Sequence, residues 1–293
     1  MAELIKIDNV TKDFPLPIRG KKLRAVDKLS LTIESNTVYG LLGPNGSGKS
    51  TTIKLLLGLL KPTEGGCLIN GESVADPSIR KNMGYLPEAP YYYRFLSGTE
   101  LLVYFARLQG IQKRDAKALA ENLLERVGLE DAGGNRIGTY SKGMLQRIGL
   151  AQALIGEPDL LILDEPLAGV DPIGAAEIGA LIRDLKAQGK TILLCSHLLS
   201  QVEALCDKVA IMQSGKLLAE GSLDQLLVSD EDKSLLIKNL DTDSRERIIK
   251  TAISMGGQVS VNRISLETLF QRLVARNRKS NSIAGANEEG ENE

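Results

Sequence analysis

Residues 43–50 read Gly-Pro-Asn-Gly-Ser-Gly-Lys-Ser, a G-x-x-x-x-G-K-S spacing that follows the apolar run Val38 to Leu42. Chemistry on phosphate needs this combination. Gly43, Gly46 and Gly48 let the backbone curl until its N–H groups point at phosphate oxygens. A helix expected from Lys49 adds the positive end of its dipole. Lys49 offers a point charge to β- and γ-phosphates, and Ser50 offers a hydroxyl to Mg²⁺. The whole stretch, from Gly43 through Pro44, Asn45, Gly46, Ser47, Gly48, Lys49 and Ser50 to Thr51, is a candidate ATP-binding loop. The complete pattern behind a strand argues against a turn that merely joins strand to helix.

Leu160 to Leu163 is a second apolar run, and it ends in two acids, Asp164 and Glu165. An acid at the carboxyl end of a buried parallel strand stands at the ligand edge of the sheet. There Asp164 is placed to hold Mg²⁺, and Glu165 to accept a proton from, or orient, a water attacking the γ-phosphate. His197, the single histidine, follows the run Thr191–Cys195 and reaches the same edge. A neutral imidazole there can donate to the γ-phosphate and sense its presence. Tyr140-Ser141-Lys142-Gly143-Met144 is a serine-glycine turn suited to a phosphate approached from outside, too far along the chain to share the first loop's nucleotide comfortably. Half a site at each of two places predicts two copies facing each other with ATP between them.

The elements that must position these residues alternate. Short β-rich runs interleaved with helical patterns predict an α/β fold with a mainly parallel sheet. Val38–Leu42 reads as a buried strand and Lys49 to Leu60 as the helix after it. From about Ala89 to Pro158 the strand signal is lost, and Leu101–Leu108, Asp115–Val127 and Ser141–Ile155 read as three helices of an inserted subdomain. After Gly221 the pattern changes again. Leu235-Leu236-Ile237 suits a strand, Ile248, Ile249, Ala252 and Ile253 share one helical face, and Leu266, Leu269, Phe270, Leu273 and Val274 share another, with Ser265 placed to cap. Residues 276–293 have little to bury and read as a disordered acidic tail.

Composition narrows the class. The 293 residues, 43% hydrophobic, suffice for one large core and a small appendix. With 36 basic and 37 acidic residues there is no basic field for nucleic acid. No apolar run approaches the ~18 residues of a membrane span, and the N-terminus carries acids where a signal peptide is basic. The expected location is cytoplasmic, at a membrane only through another protein. Cys67, Cys195 and Cys206 sit in apolar stretches and match no metal spacing, so they read as buried small hydrophobes.

Taken in order, the phosphate loop, Ser141-Lys142-Gly143, Leu160–Glu165, Ala168-Gly169-Val170-Asp171 and His197 resemble an ATP-binding cassette (ABC) nucleotide-binding subunit over residues 4 to about 222. The resemblance implies a RecA-like P-loop NTPase core (1–88 and 158–222) with an antiparallel β layer near the N-terminus, a helical subdomain over 89–157, and a small α+β extension over 223–275. It implies that Ser141, by its hydroxyl, and Gly143, by its N–H, close on the partner's ATP, that Asp171 lies in a loop crossing the dimer seam, and that Phe14 stacks on adenine. It further implies a separate integral membrane permease, with the contact placed around Glu88 to Tyr93. Lys142 stands where glycine is common, Met144 where glutamine is common, and Glu88 where most members carry glutamine. Tyr85-Leu86-Pro87-Glu88 and Tyr140–Met144 resemble the branch that serves ABC-2 type exporters, as does Ser265–Phe270. Glu88 is expected to keep a Mg²⁺-sensing role. The competing class is an ABC ATPase that moves no substrate and regulates a membrane or soluble complex. A single cassette and no long coiled-coil insertion argue against its ribosome and DNA-end forms.

Overall fold

The computed structural model describes residues 2–17, 22–223, 226 and 241–255. The chain divides into two compact units, Met1–Leu227 and Val228–Glu293. In the first, β1 (Glu3–Pro15) and β2 (Lys22–Glu34) pair antiparallel, then β3 (Val38–Leu42) leads through the glycine loop into α1 (Lys49–Leu56). β4 (Glu64–Ile69), β5 (Glu72–Ser73) and β6 (Met83–Leu86) precede three helices, α2 (Gly98–Leu108), α3 (Lys113–Arg126) and α4 (Lys142–Ala153). β7 (Leu160–Asp164), α5 (Pro172–Ala187), β8 (Thr191–Ser196), α6 (Leu199–Leu205), β9 (Lys208–Gln213) and β10 (Lys216–Ser222) complete it.

The strands form two sheets, an antiparallel one in the order β2-β1-β4-β5 and a six-stranded one in the order β10-β9-β3-β8-β7-β6. All pairings in the larger sheet are parallel except β10 on β9. Its central strands are covered on both faces, which is why they read as unbroken apolar runs. Tyr39, Leu41, Leu193 and Cys195 pack on one side with Ile5, Ile7, Val26 and Ile33 of the antiparallel sheet. Val38, Leu42, Leu163 and Leu194 pack on the other with Leu101, Leu123 and Ile148 of the helical insert and Ile178 and Ile182 of α5. The P-loop core, the antiparallel layer and the helical insert thus agree with the expected fold class.

Several boundaries differ from the sequence reading. α1 stops at Leu56, not Leu60, because Gly58 takes a φ of +63° and Arg80 donates to the carbonyls of Leu57 and Gly58 at 2.9 and 3.0 Å, terminating the helix. α2 begins three residues before Leu101, since Ser97 and Glu100 form a reciprocal capping box. α4 begins at Lys142 with Ser141 as its cap. In the second unit one helix is described, α7 (Thr242–Ser254), capped by Asp241, which accepts from the Ser244 N–H at 2.8 Å. On it Ile249 and Ala252 are half-buried while Ile248 and Ile253 are exposed, so the expected apolar face is only partly covered. The expected strand 235–237, the helix around Ser265 to Val274 and the tail lie outside the described residues. All three cysteines are free and buried. Among the described residues no helix is long and apolar enough to cross a membrane.

Candidate functional site

β3 ends at Leu42 and the chain turns through Gly43–Gly48 before α1. The backbone needs glycine here for two separate reasons. Gly48, the N-cap of α1, has a φ of +107°, and a Cβ there would stand 2.6 Å from the Ala25 carbonyl oxygen. A Cβ on Gly43 would collide with the Met212 carbonyl and the Ser47 side chain. Lys49 is buried, its Nζ donating to the carbonyls of Gly43 at 2.6 Å and Pro44 at 3.3 Å. The ammonium therefore sits over the loop, with Gly43 and Pro44 serving as its seat. The Gly215 N–H donates to the Ser47 carbonyl at 2.9 Å and ties the loop to the β9–β10 turn.

At the carboxyl edge of the sheet, β7 delivers Asp164 and Glu165, which are 6% and 5% exposed. Burial, reinforced by the charges of Glu165 and Glu88 and opposed by Lys49 and Lys54, pushes the Asp164 carboxyl up to about 6. Glu165 sits in the left-handed region at φ +51°, its N–H donating to the Cys195 carbonyl at 2.9 Å. One carboxylate oxygen, Oε1, lies 2.8 Å from His197 Nδ1. The other, Oε2, is 3.4 Å from the donating hydroxyl of buried Ser196.

These groups meet in one cleft of about 670 Å³. Of the residues expected from sequence, it gathers Phe14, Asn45 to Thr51, Glu88, Asp164, Glu165 and His197. It also includes Leu23, Arg24, Ala25 and Ser214, which sequence reasoning missed. Leu23 is the cross-strand partner of Phe14, and the two make an apolar wall at the cleft's mouth, with Lys12 Nζ 5.2 Å from the centre of the Phe14 ring. Arg24 is held by Asp13 at 2.9 Å and Asp27 at 3.0 Å. Nothing in the sequence gives the β1–β2 register, because several bulges shift it along the pair.

Ser141, Gly143 and Asp171 do not line that cleft. They form a second group. Ser141 Oγ accepts from the Met144 N–H at 3.2 Å, and Asp171 Oδ1 accepts from the N–H groups of Ile173 and Gly174 at 3.1 and 3.0 Å. The Gly174 hydrogen bond is the main reason that the Asp171 carboxyl lies below the usual carboxylate range. A Cβ on Gly143 would touch Val170 at 3.4 Å, so the start of α4 packs on the loop that leads to Asp171.

The Tyr91–Tyr93 row divides in two. Tyr92 is packed inward, its hydroxyl donating to Gln152 Oε1 at 3.0 Å and its ring edge-on to Phe105. Tyr91 and Tyr93 are 98% and 55% exposed, and Tyr93 meets Phe95 at a tilt and Tyr104 edge-on in an open aromatic patch.

The donor set fits Mg²⁺ on one condition. Asp164, Glu88 and the Ser50 hydroxyl line the cleft, and the burial and neighbouring negative charge that raise Asp164 are what a dication offsets. Among the described residues no group of three or more His, Cys, Asp or Glu side chains could hold a metal alone. Phosphate oxygens must complete the shell, as is usual for Mg²⁺ with few carboxylates.

The sequence profile of the ABC transporter family matches residues 26–168. An uncharacterized ABC transporter ATP-binding protein of Nostoc sp. is 46% identical over 211 residues, 71% of this chain and 63% of that protein. The chain thus spans under two thirds of that relative's length. The bacitracin transport ATP-binding protein BcrA of Bacillus licheniformis is 37% identical over 286 residues, covering 91% of this chain and 90% of that one. A solved structure of an ATP binding subunit of an ABC transporter superposes with a TM-score of 0.66 at 31% identity, over 76% of this chain and 91% of that one.

Proposed function

We propose, on the premise that this chain belongs to the ABC transporter family of ATP-binding proteins, that it binds and hydrolyses ATP and thereby powers a separate membrane permease of the ABC-2 exporter type. The observation that carries the reading is the Glu165–His197 pair, 2.8 Å apart, facing the phosphate loop across one cleft.

In this reading Phe14 stacks on the adenine, and backbone N–H groups between Asn45 and Thr51 cradle the phosphates. Lys49 leaves its carbonyl seat for the β- and γ-phosphates. A water oxygen attacks the γ-phosphorus while Glu165 takes its proton, the bond to the β–γ bridging oxygen breaks, and ADP and phosphate result. His197 turns from Glu165 and donates an N–H to the γ-phosphate. Ser50, Asp164 and Glu88 would hold Mg²⁺, which when bound neutralises charge on the phosphates.

Ser141, Gly143 and Asp171 serve the other nucleotide of a head-to-tail dimer, either with a second copy or with a homologous subunit. Their separation from the chain's own cleft supports this, since in one chain they have no nucleotide to touch. Hydrolysis removes the γ-phosphate contacts and lets the dimer part. We assign residues 1–222 as the ATPase domain, with 89–157 as its helical subdomain, and 223–275 as an accessory domain. The permease contact is assigned to Glu88–Tyr93 and the exposed ring of Tyr93, Phe95 and Tyr104, which would hold the protein at the cytoplasmic face of the membrane.

Glu165→Gln tests the reading. Turnover should fall by about 10²- to 10⁴-fold, the usual contribution of a general base, while an ATP-bound dimer accumulates in light-scattering chromatography. A variant that stays monomeric and still hydrolyses ATP overturns it.

A further inference from the structure

We propose that Ser196 is a positioning residue for Glu165, and that Gln201 competes for its single hydroxyl proton. The inference rests on the reading of Glu165 as the group that takes the proton from water.

Ser196 is the last residue of β8 and is fully buried. Its Oγ lies 3.4 Å from Glu165 Oε2 and 3.2 Å from Gln201 Oε1, and it accepts from the Leu198 N–H at 3.1 Å. A serine hydroxyl has one proton to donate. Two acceptors for that proton, each at a distance longer than the ~2.7–2.8 Å typical of a committed O–H···O bond, describe a contested donor. The two acceptors sit on different elements. Glu165 follows β7, whereas Gln201 lies on α6, so the hydroxyl joins the sheet edge to the helix behind His197.

The contest matters because of how Glu165 is held. Its backbone occupies φ +51°, a conformation that persists in a non-glycine residue only when the surroundings impose it. Its Oε1 depends on His197, whose side chain is 43% exposed and is the more free to move. When His197 turns toward a γ-phosphate, Ser196 is the side chain still bonded to the carboxylate. Gln201 can draw that proton away or release it, and so sets how firmly the carboxylate faces the water.

The different responses expected for two variants separate this from a folding role. Relative to the full wild-type chain, Ser196→Ala should lower kcat by about 10-fold or more while KM for ATP stays within about twofold, because placement of the base changes and binding does not. Ser196→Thr, which keeps the hydroxyl, should restore the rate. Gln201→Leu, which leaves the proton to Glu165 alone, should turn over at the wild-type rate or faster. A wild-type rate for Ser196→Ala, with Glu165→Gln inactive, overturns the inference and leaves the catalytic reading intact. Parallel losses of kcat and melting temperature in both Ser196→Ala and Gln201→Leu also overturn it, assigning the trio to the folding of α6. Full turnover by Glu165→Gln overturns the reading beneath it.

Discussion

Asp164→Asn should make the protein more stable at neutral pH while removing Mg²⁺-dependent nucleotide binding. The carboxyl is 6% exposed and is pushed from 3.8 up to about 6, first by burial and then by Glu165 and Glu88. A raised value means that the folded state holds a proton where the unfolded state has released it. Stability is therefore full below the unfolded value and is lost as pH rises, over a window that opens near 3.8 and closes above about 6. The whole loss is about 3 kcal/mol, at ~1.4 kcal/mol for each tenfold change in proton affinity between the two states. Roughly half is complete by about pH 5, which leaves about 1.5 kcal/mol between pH 5 and pH 8. Asparagine has nearly the same shape and no charge, so it escapes that loss. The variant's lead in melting temperature should widen by about 3–6 °C from pH 5 to pH 8, measured by scanning calorimetry in chelator. Lys49 does not reverse the sign, because its ammonium is already satisfied by the Gly43 and Pro44 carbonyls. Mg²⁺ with ADP should then raise the melting temperature of the wild type and leave the variant unmoved. A lead that narrows as pH rises, or a variant less stable at pH 8, would refute the argument that the cleft strains to hold this anion.

Phe14→Ala should weaken ATP binding by about 5- to 30-fold, on the order of 1–2 kcal/mol for an aromatic platform, while Phe14→Tyr should keep it; calorimetric titration decides. Tyr91→Ala with Tyr93→Ala should leave the isolated chain's ATPase rate unchanged and abolish co-purification of a polytopic membrane protein in mild detergent. Tyr92→Ala should instead lower stability, by about 3–5 kcal/mol for a packed aromatic, seen in urea unfolding. Gly149→Ala should cost about 1–3 kcal/mol through overpacking, because its Cβ would drive into buried Leu86 and stand 3.0 Å from the Tyr92 hydroxyl.

What the sequence makes legible shares one physical property, dependence on neighbours close along the chain. The phosphate loop is legible because curling a backbone around phosphate demands glycine at fixed steps. Asp164, Glu165 and His197 are legible because a strand buried on both faces must be apolar until it reaches the ligand edge. Leu23, Arg24 and Ala25 are not, because they enter the cleft on a strand whose register against β1 is shifted by bulges. Ser214 enters through a turn that the chain reaches long after the loop it supports. The Ser141 and Asp171 hydrogen bonds are only half visible. Serine and aspartate are residue types that cap helices, and the structure shows both caps made, at α4 and α5.

The tyrosine row shows why the remainder needs three dimensions. Tyr91, Tyr92 and Tyr93 are chemically identical, and α2 and α4 distinguish them. On α4, Gly149 lies beneath Leu86 and the Tyr92 hydroxyl, Gln152 accepts from that hydroxyl, and buried Gln146 donates to the Glu88 carbonyl at 3.3 Å. One turn apart, these three positions seat the segment that runs from the cleft to the aromatic patch on the same helix that Ser141 caps. Glu88 at the candidate metal site, the patch assigned to the permease and the serine assigned to the other nucleotide therefore share one rigid support. Small residues and amides, rather than bulky apolar ones, occupy that face of α4, because the backbone of the segment must come close and its carbonyl must find a donor. A hydrophobic-period reading of α4 passes over such positions, though in this fold they join the parts of the proposed site.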